Sequence, residues 1–267
     1  FYGRDCSIQR RFQKIIEESP APKVGSDIIN KMSESAVNFA SNQKYEGAGT
    51  IEFIYDVDEK KFYFLEMNTR IQVEHPVTES ITNSDLVEMQ IKFALGIDTN
   101  LTEQNKINRT GHAIECRLYA EDPSKNFLPS PGKISKLKIP NTNLANIRLD
   151  IGVDEGDEIS FYYDPMIAKI IAKGSTRVES IKNMLQYLKE FEIEGINTNK
   201  SFLISVLQNK NFEEANFNTK FIENNLTLFI KKKGDILPTK QQDKTKTKQK
   251  YSDKDVKAFE KIIAKTP

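Results

Sequence analysis

The sequence predicts an α+β fold, and three observations carry that expectation. Strand-like and helix-like segments follow one another without the strict strand–helix–strand repeat of a parallel sheet. A β-rich hairpin, GTIEFIYD through FYFLEMN, lies between two segments of helical periodicity. A second group of strands follows a polar stretch, and an amphipathic helix comes after it.

The opening FYGRDCSIQRR reads as a strand entering a polar segment. It begins at Phe1 rather than Met, so the chain is expected to be cut from a longer one. Residues 26–43 predict a helix, with Ile29, Met32, Ala36 and Ala40 at helical spacing and Ser26 as its N-cap. The hairpin follows, turning through the polar stretch Asp56 to Lys61. Residues 84–95 predict a second helix, started by Ser84 and Asp85, patterned on Leu86, Gln90, Ile91, Ala94 and Leu95, and closed by Gly96.

The polar stretch from Asp98 to Thr110 marks a boundary between units. The strand GHAIECRLYAED opens the second unit, and the turn-rich FLPSPGKI and short strands around 145–173 continue it. Residues 175–190 predict an amphipathic helix on Val178, Ile181, Leu185 and Leu188, capped by Ser175 or Thr176. Another helix is expected over 200–208. After Phe229 the lysine-rich KKKGDILPTKQQDKTKTKQK reads as a solvated linker. It leads into SDKDVKAFEKIIAK, with Val256, Phe259 and Ile263 on one helical face.

Composition narrows the function classes. Hydrophobic residues are 38% and charged residues 29% of the 267, a globular balance. A net charge of +1 gives no field to attract nucleic acid or an anionic membrane. No stretch approaches the roughly 20 apolar residues of a membrane-spanning helix. Two cysteines, Cys6 and Cys116, make no disulfide framework. With only two histidines beside them, a structural zinc site is nearly excluded. Any metal should be a hard cation held by oxygen.

The densest chemistry is in GTIEFIYDVDEKKFYFLEMNTRIQVEHP. A turn centred near Glu59 would set Glu52 opposite Glu66. Like charges at that cross-strand distance of about 5 Å repel, so either a proton or a cation must offset them. Asn68 falls on the same face. Two carboxylates and an amide oxygen suit Mg²⁺ or Mn²⁺, with substrate phosphates and water completing the shell. A salt-bridged exposed hairpin fits the pattern equally well. Continued alternation would add Arg70, Gln72 and Glu74 to that face, a good site wall and a poor core strand. Arg70 offers a fork for a small oxyanion, and Glu74 beside it could accept a proton. Pro76 is expected to end regular pairing, and His75 to be a structural hydrogen-bonding histidine. Arg117, between Cys116 and Leu118, faces away from both; its plain alternative is a surface salt bridge with Glu115 or Glu121.

EMNTRIQVEHPVTE resembles the signature of biotin carboxylases and their ATP-grasp relatives, including carbamoyl phosphate synthetases. RDCSIQRRFQKIIEESPAP is similar to an upstream biotin carboxylase motif. GHAIECRLYAEDP and FLPSPGKI resemble the start of the biotin carboxylase C-terminal domain, which the synthetases lack. YYDPMIAKII and GINTN resemble further blocks of biotin-dependent acyl-CoA carboxylases, with YYDPMIAK and the GDEIS block nearest the propionyl- and methylcrotonyl-type α subunits. The resemblance runs colinearly over residues 1–229. It implies the C-terminal part of an ATP-grasp domain over 1–105 and the biotin carboxylase C-terminal domain over 106–229. A lysine-rich linker and short helix would cover 230–267.

The resemblance also implies roles. Glu52 and Glu66, assisted by Asn68, would hold the Mg²⁺ or Mn²⁺ that bridges ATP phosphates. Gln9 would line the nucleotide site, and Lys14 would contact bicarbonate and the γ-phosphate. Arg70, Gln72 and the Val73 backbone would bind bicarbonate. Glu74 would be the general base that deprotonates it, and Arg117 would stabilise the biotin enolate. Carbonate would attack the γ-phosphorus to give carboxyphosphate, whose CO₂ biotin then captures. Biotin would be carried on a separate carrier domain, since no Met-Lys-Met attachment motif is present. A carboxyltransferase subunit would use the product and choose the acyl-CoA, and the full-length protein would be a homo-oligomer. Bacterial cytoplasm comes first as location, a mitochondrial matrix second.

One departure is Phe12, where members usually carry a polar residue, often histidine. No glycine-rich phosphate loop is present either, so residues 1–267 alone are expected not to carboxylate biotin. Two alternatives stand beside this reading. Another ATP-grasp ligase, of carbamoyl phosphate synthetase type, is opposed by GHAIECRLYAEDP. A non-catalytic remnant acting as an interaction module is opposed by the intact set Lys14, Glu52, Glu66, Asn68, Arg70, Glu74 and Arg117.

Overall fold

The computed structural model of the chain describes residues 1–97, 104–141 and 146–230. Strands β1 (Asp5–Arg10) and β2 (Gln13–Ser19) form an antiparallel hairpin. Arg11 and Phe12 at its tip both have positive φ, 49° and 63°, as a type I′ two-residue hairpin turn requires. Phe12 is 99% exposed there. Helix α1 (Ser26–Asn42) leads to the second hairpin, β3 (Thr50–Asp56) with β4 (Lys61–Asn68). Two short helices follow, α2 (His75–Thr82) and α3 (Leu86–Ala94).

The second group of elements begins with β5 (His112–Tyr119), buried at every position. Short strands β6 (Glu121–Asp122), β7 (Leu128–Pro129), β8 (Gly132–Lys133) and β9 (Lys136–Lys138) precede β10 (Ile147–Ile151). Then come β11 (Glu158–Ile159), β12 (Met166–Gly174), α4 (Arg177–Glu190), β13 (Glu192–Glu194), α5 (Lys200–Leu207), α6 (Lys210–Glu213) and α7 (Phe221–Phe229).

The organising feature is a five-stranded antiparallel sheet in the order β1-β2-β5-β12-β10. It draws strands from both sides of the polar stretch 98–110, through the pairing of β2 with β5. On one face, Ile16, Ile114, Cys116, Leu118, Ile170 and Ala172 pack in a core with Ile181, Met184 and Leu188 of α4 and Phe202 and Val206 of α5. Burying each large side chain is worth about 1.5–3 kcal/mol relative to exposure, so this face anchors the sheet. On the other face α2 lays Val77 and Ile81 against Ala113 and Ile171. That face positions the site.

Buried ion pairs tie the periphery to the sheet. Glu18 accepts from Arg177 Nε at 2.6 Å and Nη2 at 3.0 Å, and contacts His112 Nε2 at 2.6 Å. The Arg177 guanidinium also lies over the Phe212 ring at 4.9 Å. Arg10 and Glu121 pair, both buried, with Arg10 over Phe127 at 4.9 Å. Among the described residues no helix is long and apolar enough to cross a membrane.

Several expectations are corrected. The helix predicted from 26 takes Gly25, not Ser26, as its N-cap. Thr176, not Ser175, caps α4, its side chain accepting from Glu179 N. Val178 is 60% exposed and off the packed face, whose interior positions are Ser180, Ile181, Met184, Tyr187 and Leu188. The extended run expected past Asn68 does not exist. β4 ends at Asn68, residues 69–74 turn, and Pro76 sits in the first turn of α2, where its missing N–H costs nothing. The expected linker and terminal helix beyond 230 lie outside the described residues.

Candidate functional site

The second hairpin carries the first part of the site. Its register sets Glu52 opposite Glu66 and Thr50 opposite Asn68. Asn68 Nδ2 donates to Glu52 Oε1 at 3.1 Å and to Glu66 Oε1 at 3.0 Å, so both carboxylates converge on one small group. That convergence is what a hard cation needs: two carboxylate oxygens near one point, with an amide oxygen supplied if Asn68 turns over. Among the described residues no cluster of three or more His, Cys, Asp or Glu side chains gathers as a metal site. A cation here would therefore keep positions for water or phosphate oxygens.

The turn after β4 brings in the second part. Gln72 and Glu74 are buried, and Arg70 is exposed. His75 explains the tight turn: its backbone N–H donates to Gln72 O at 3.2 Å, and its ring Nδ1 lies 2.8 Å from the same oxygen. Burial holds the His75 pKa below its ordinary value, in keeping with a structural role. Gln72 spans the gap back to the hairpin, its Nε2 donating to Glu52 Oε1 at 2.6 Å.

The third part comes from the sheet. Lys14 Nζ on β2 lies 2.6 Å from Glu52 Oε1 and 2.8 Å from Glu74 Oε1. Arg117 Nη2 on β5 lies 3.0 Å from Glu74 Oε2 and also contacts Glu17. Glu74 is thus gripped at both oxygens by different cations. Burial pushes its pKa up, but Lys14, Arg4 and a backbone hydrogen bond together outweigh that and hold the carboxylate below its usual range. Burial likewise opposes charge on Lys14 and Arg117. Glu74 and Glu52 keep the ammonium protonated, and Glu17, Tyr119 and Glu74 keep the guanidinium so.

The structure therefore brings together Lys14, Glu52, Glu66, Asn68, Gln72, Glu74 and Arg117. Arg70 borders them, donating to Asn68 Oδ1 at 3.2 Å and Ile71 O at 3.0 Å. Val73 offers its backbone, with its carbonyl accepting from Lys169 at 3.2 Å. Gln9 faces Lys14 across the β1–β2 hairpin but spends its amide on Cys6 O at 2.8 Å. Arg117 has neither Glu115 nor Glu121 as its ion-pair partner, and it is buried rather than on the surface. Sheet pairing decides this, because β2 brings Glu17 beside β5 while Glu121 is taken by Arg10.

Arg4, Lys169 and Glu17 escaped the sequence reading, and Glu115 entered it only as an alternative salt-bridge partner of Arg117. Arg4 ties Gln72 to Thr50 and Thr78, with bonds of 3.1 and 3.0 Å to the two threonines. Lys169 links Val73 O to Asp150. Glu17 and Glu115 are completely buried. A charged residue inside an otherwise apolar strand, as in KIIEES and HAIECRLY, was the available signal.

Residues 1–102 match the family model of the carbamoyl-phosphate synthase L chain ATP binding domain, and residues 115–224 match the biotin carboxylase C-terminal domain. The chain is 52% identical over 220 residues to biotin carboxylase 1 of Bacillus subtilis, covering 82% of this chain and 48% of that protein. It is 47% identical over 221 residues to the mitochondrial methylcrotonoyl-CoA carboxylase subunit alpha of Mus musculus, covering 83% of this chain and 30% of that protein. The solved biotin carboxylase domain dimer of Hydrogenobacter thermophilus 2-oxoglutarate carboxylase, in complex with MgADP, ADP and bicarbonate, superposes with a TM-score of 0.82 at 39% identity. That match covers 86% of this chain and 50% of that one. The chain thus spans about half or less of the length of the proteins it matches. The two family models match in chain order, so the chain carries a carbamoyl-phosphate synthase L chain type ATP-binding domain region followed by a biotin carboxylase C-terminal domain, and it is homologous over most of its length to biotin carboxylases.

Proposed function

We propose that this chain supplies the bicarbonate-binding and metal-binding wall of a biotin carboxylase, which uses ATP and bicarbonate to carboxylate biotin. One observation carries the reading: Lys14 bridges Glu52 of the hairpin to Glu74, whose other oxygen is held by Arg117. A phosphoryl-transfer site needs cations over the transferring group and a base near the nucleophile. Both occur within this one constellation.

In this reading Glu52 and Glu66, with Asn68, would hold a Mg²⁺ or Mn²⁺ ion, which would supply charge neutralisation for ATP phosphates. Lys14 contacts bicarbonate and the γ-phosphate, and Gln9 lines the nucleotide site. Arg70, Gln72 and the Val73 backbone orient bicarbonate. Glu74, kept ionised by Lys14, takes its proton. Carbonate then attacks the γ-phosphorus, expelling ADP to give carboxyphosphate. This breaks down to CO₂ and phosphate, the phosphate takes the ureido proton of biotin, and Arg117 stabilises the resulting enolate, which captures CO₂. Residues 1–105 form part of an ATP-grasp domain and 106–229 the C-terminal domain, with 230–267 as linker. Biotin arrives on a carrier domain, a carboxyltransferase consumes the product, and the complete enzyme is a homo-oligomer. The Hydrogenobacter domain supports the choice of Mg²⁺, nucleotide and bicarbonate as ligands, and its dimer supports the assembly. Bacterial cytoplasm stands first as location and a mitochondrial matrix second, the relatives named above including one of each kind.

The test is a chimera. Residues 1–225 of this chain replace the aligned part of Bacillus subtilis biotin carboxylase 1, and phosphate release from ATP is followed with bicarbonate and free biotin. Release that depends on both supports the reading. A folded chimera that binds nucleotide but releases no phosphate overturns it.

A further inference from the structure

Beneath the site lies a pair of acids that none of the roles above uses. Glu17 on β2 and Glu115 on β5 are register partners in adjacent antiparallel strands. Both are fully buried, and none of their four carboxyl oxygens has a hydrogen-bond partner of good geometry. Cross-strand partners have Cβ atoms about 5 Å apart, where two like charges repel strongly in a dry interior. Nothing apolar in the sheet requires acids here. Among the described residues the ion-pair partner of Glu17 is Arg117: its Nη2 contacts Glu17 and Glu74 together, and its Nε is buried with no partner.

We propose that Glu17 is a positioning residue for Arg117, and that the Glu17–Glu115 pair keeps one proton between them, carried on Glu115. One carboxylate then sits under the guanidinium, and the neutral acid beside it removes the cross-strand repulsion. Arg117 is held by Nη2 between Glu17 and Glu74, so the orientation of its guanidinium is fixed before a negative charge develops beside it. This deepens the proposed reading and rests on it only for the part played by Arg117.

The surrounding groups fit a single shared proton. The pair faces Lys14, Glu74, Arg117 and Lys169, with the thiols of Cys6 and Cys116 nearby. Burial pushes Glu17 up to about 7, opposed by Arg117. Burial and then Glu17 itself push Glu115 well above the usual carboxylate range. The acid in contact with the guanidinium is the one to ionise, and the one behind it stays neutral.

Two measurements test this. The first needs no activity: infrared difference spectra at neutral pH of this chain and its Glu115→Gln variant. The expected result is loss of a neutral carboxylic-acid carbonyl band in the variant. A difference showing only a lost carboxylate overturns the shared proton. The second uses the chimera described above. Glu17→Gln should lower kcat/KM for biotin about tenfold to a hundredfold, the range for weakening one close polar contact to a charged group. Bicarbonate-dependent ATP cleavage without biotin should change less than about threefold, and Glu115→Gln should match wild type. Glu17→Asp, which keeps the charge, should fall between and guards against a folding defect in Glu17→Gln. Equal losses in both reactions, or no loss in either, overturn the positioning role. A chimera inactive in its wild-type form refutes the proposed function but leaves the infrared result to decide the proton.

Discussion

Lys14 and Glu74 are 60 positions apart in the chain, yet Lys14 Nζ lies 2.8 Å from Glu74 Oε1. The contact decides the charge state of the candidate base. The ammonium is the leading influence opposing the burial of Glu74, which favours the neutral acid that cannot accept a proton. Lys14→Met should therefore raise the Glu74 pKa. Carboxyl NMR titration of this chain checks it, the expected result being a Glu74 transition at higher pH in the variant. An unmoved transition would show that Arg4 and Arg117 suffice to hold the charge.

Glu74→Gln keeps the size of the side chain and deletes its basicity. Within the chimera it should lower bicarbonate-dependent ATP cleavage by about 10²–10⁴, the usual cost of losing a general base. Nucleotide affinity, measured by calorimetry, should stay within a few-fold. Wild-type turnover in this variant would remove Glu74 from its assigned role.

Glu115 also governs stability. Its folded pKa is raised by burial above the unfolded value, so the folded state holds the extra proton. Stability from this group is fully present below the unfolded carboxylate pKa and is lost as pH rises through the folded one. Glu115→Gln stays uncharged throughout. The variant and wild type should melt alike near pH 5, and the variant should melt higher at pH 9. The gap should be a few degrees, since about 1 kcal/mol moves Tm by about 2–4 °C in a domain of this size. Parallel melting curves across that range would contradict it.

Arg177→Ala should be costly although it lies outside the site. It strips Glu18 of two bonds and leaves a buried carboxylate with His112 alone. It also removes the cation over Phe212. Breaking a buried pair on one side costs about 3–5 kcal/mol, which urea unfolding would read as a lower midpoint. Arg177→Lys should recover only part, because a single ammonium cannot reproduce the two-pronged contact. A loss under about 1 kcal/mol for the alanine variant would mean that water replaces the guanidinium.

The sequence by itself determined the local parts of this protein. Alternation and turn polarity sufficed to set Glu52 against Glu66 and Asn68 beside them, because hairpin register follows from the turn between two adjacent strands. Helical spacing located α1, α3, α4 and α5 to within about two residues at each end. It failed for α2, whose HPVTESIT has too few turns to show a period, so the run after Asn68 looked extended. Only the tertiary structure decided what surrounds Glu74. Lys14, Arg4 and Arg117 reach it from strands or segments 43 to 70 positions away, through the β2–β5 pairing and the packing of α2 on the sheet. The same pairing put Glu17 against Glu115, and no pattern in either strand could announce a partner a hundred residues distant, since long-range pairing is fixed by burial of the whole sheet and not by either strand alone.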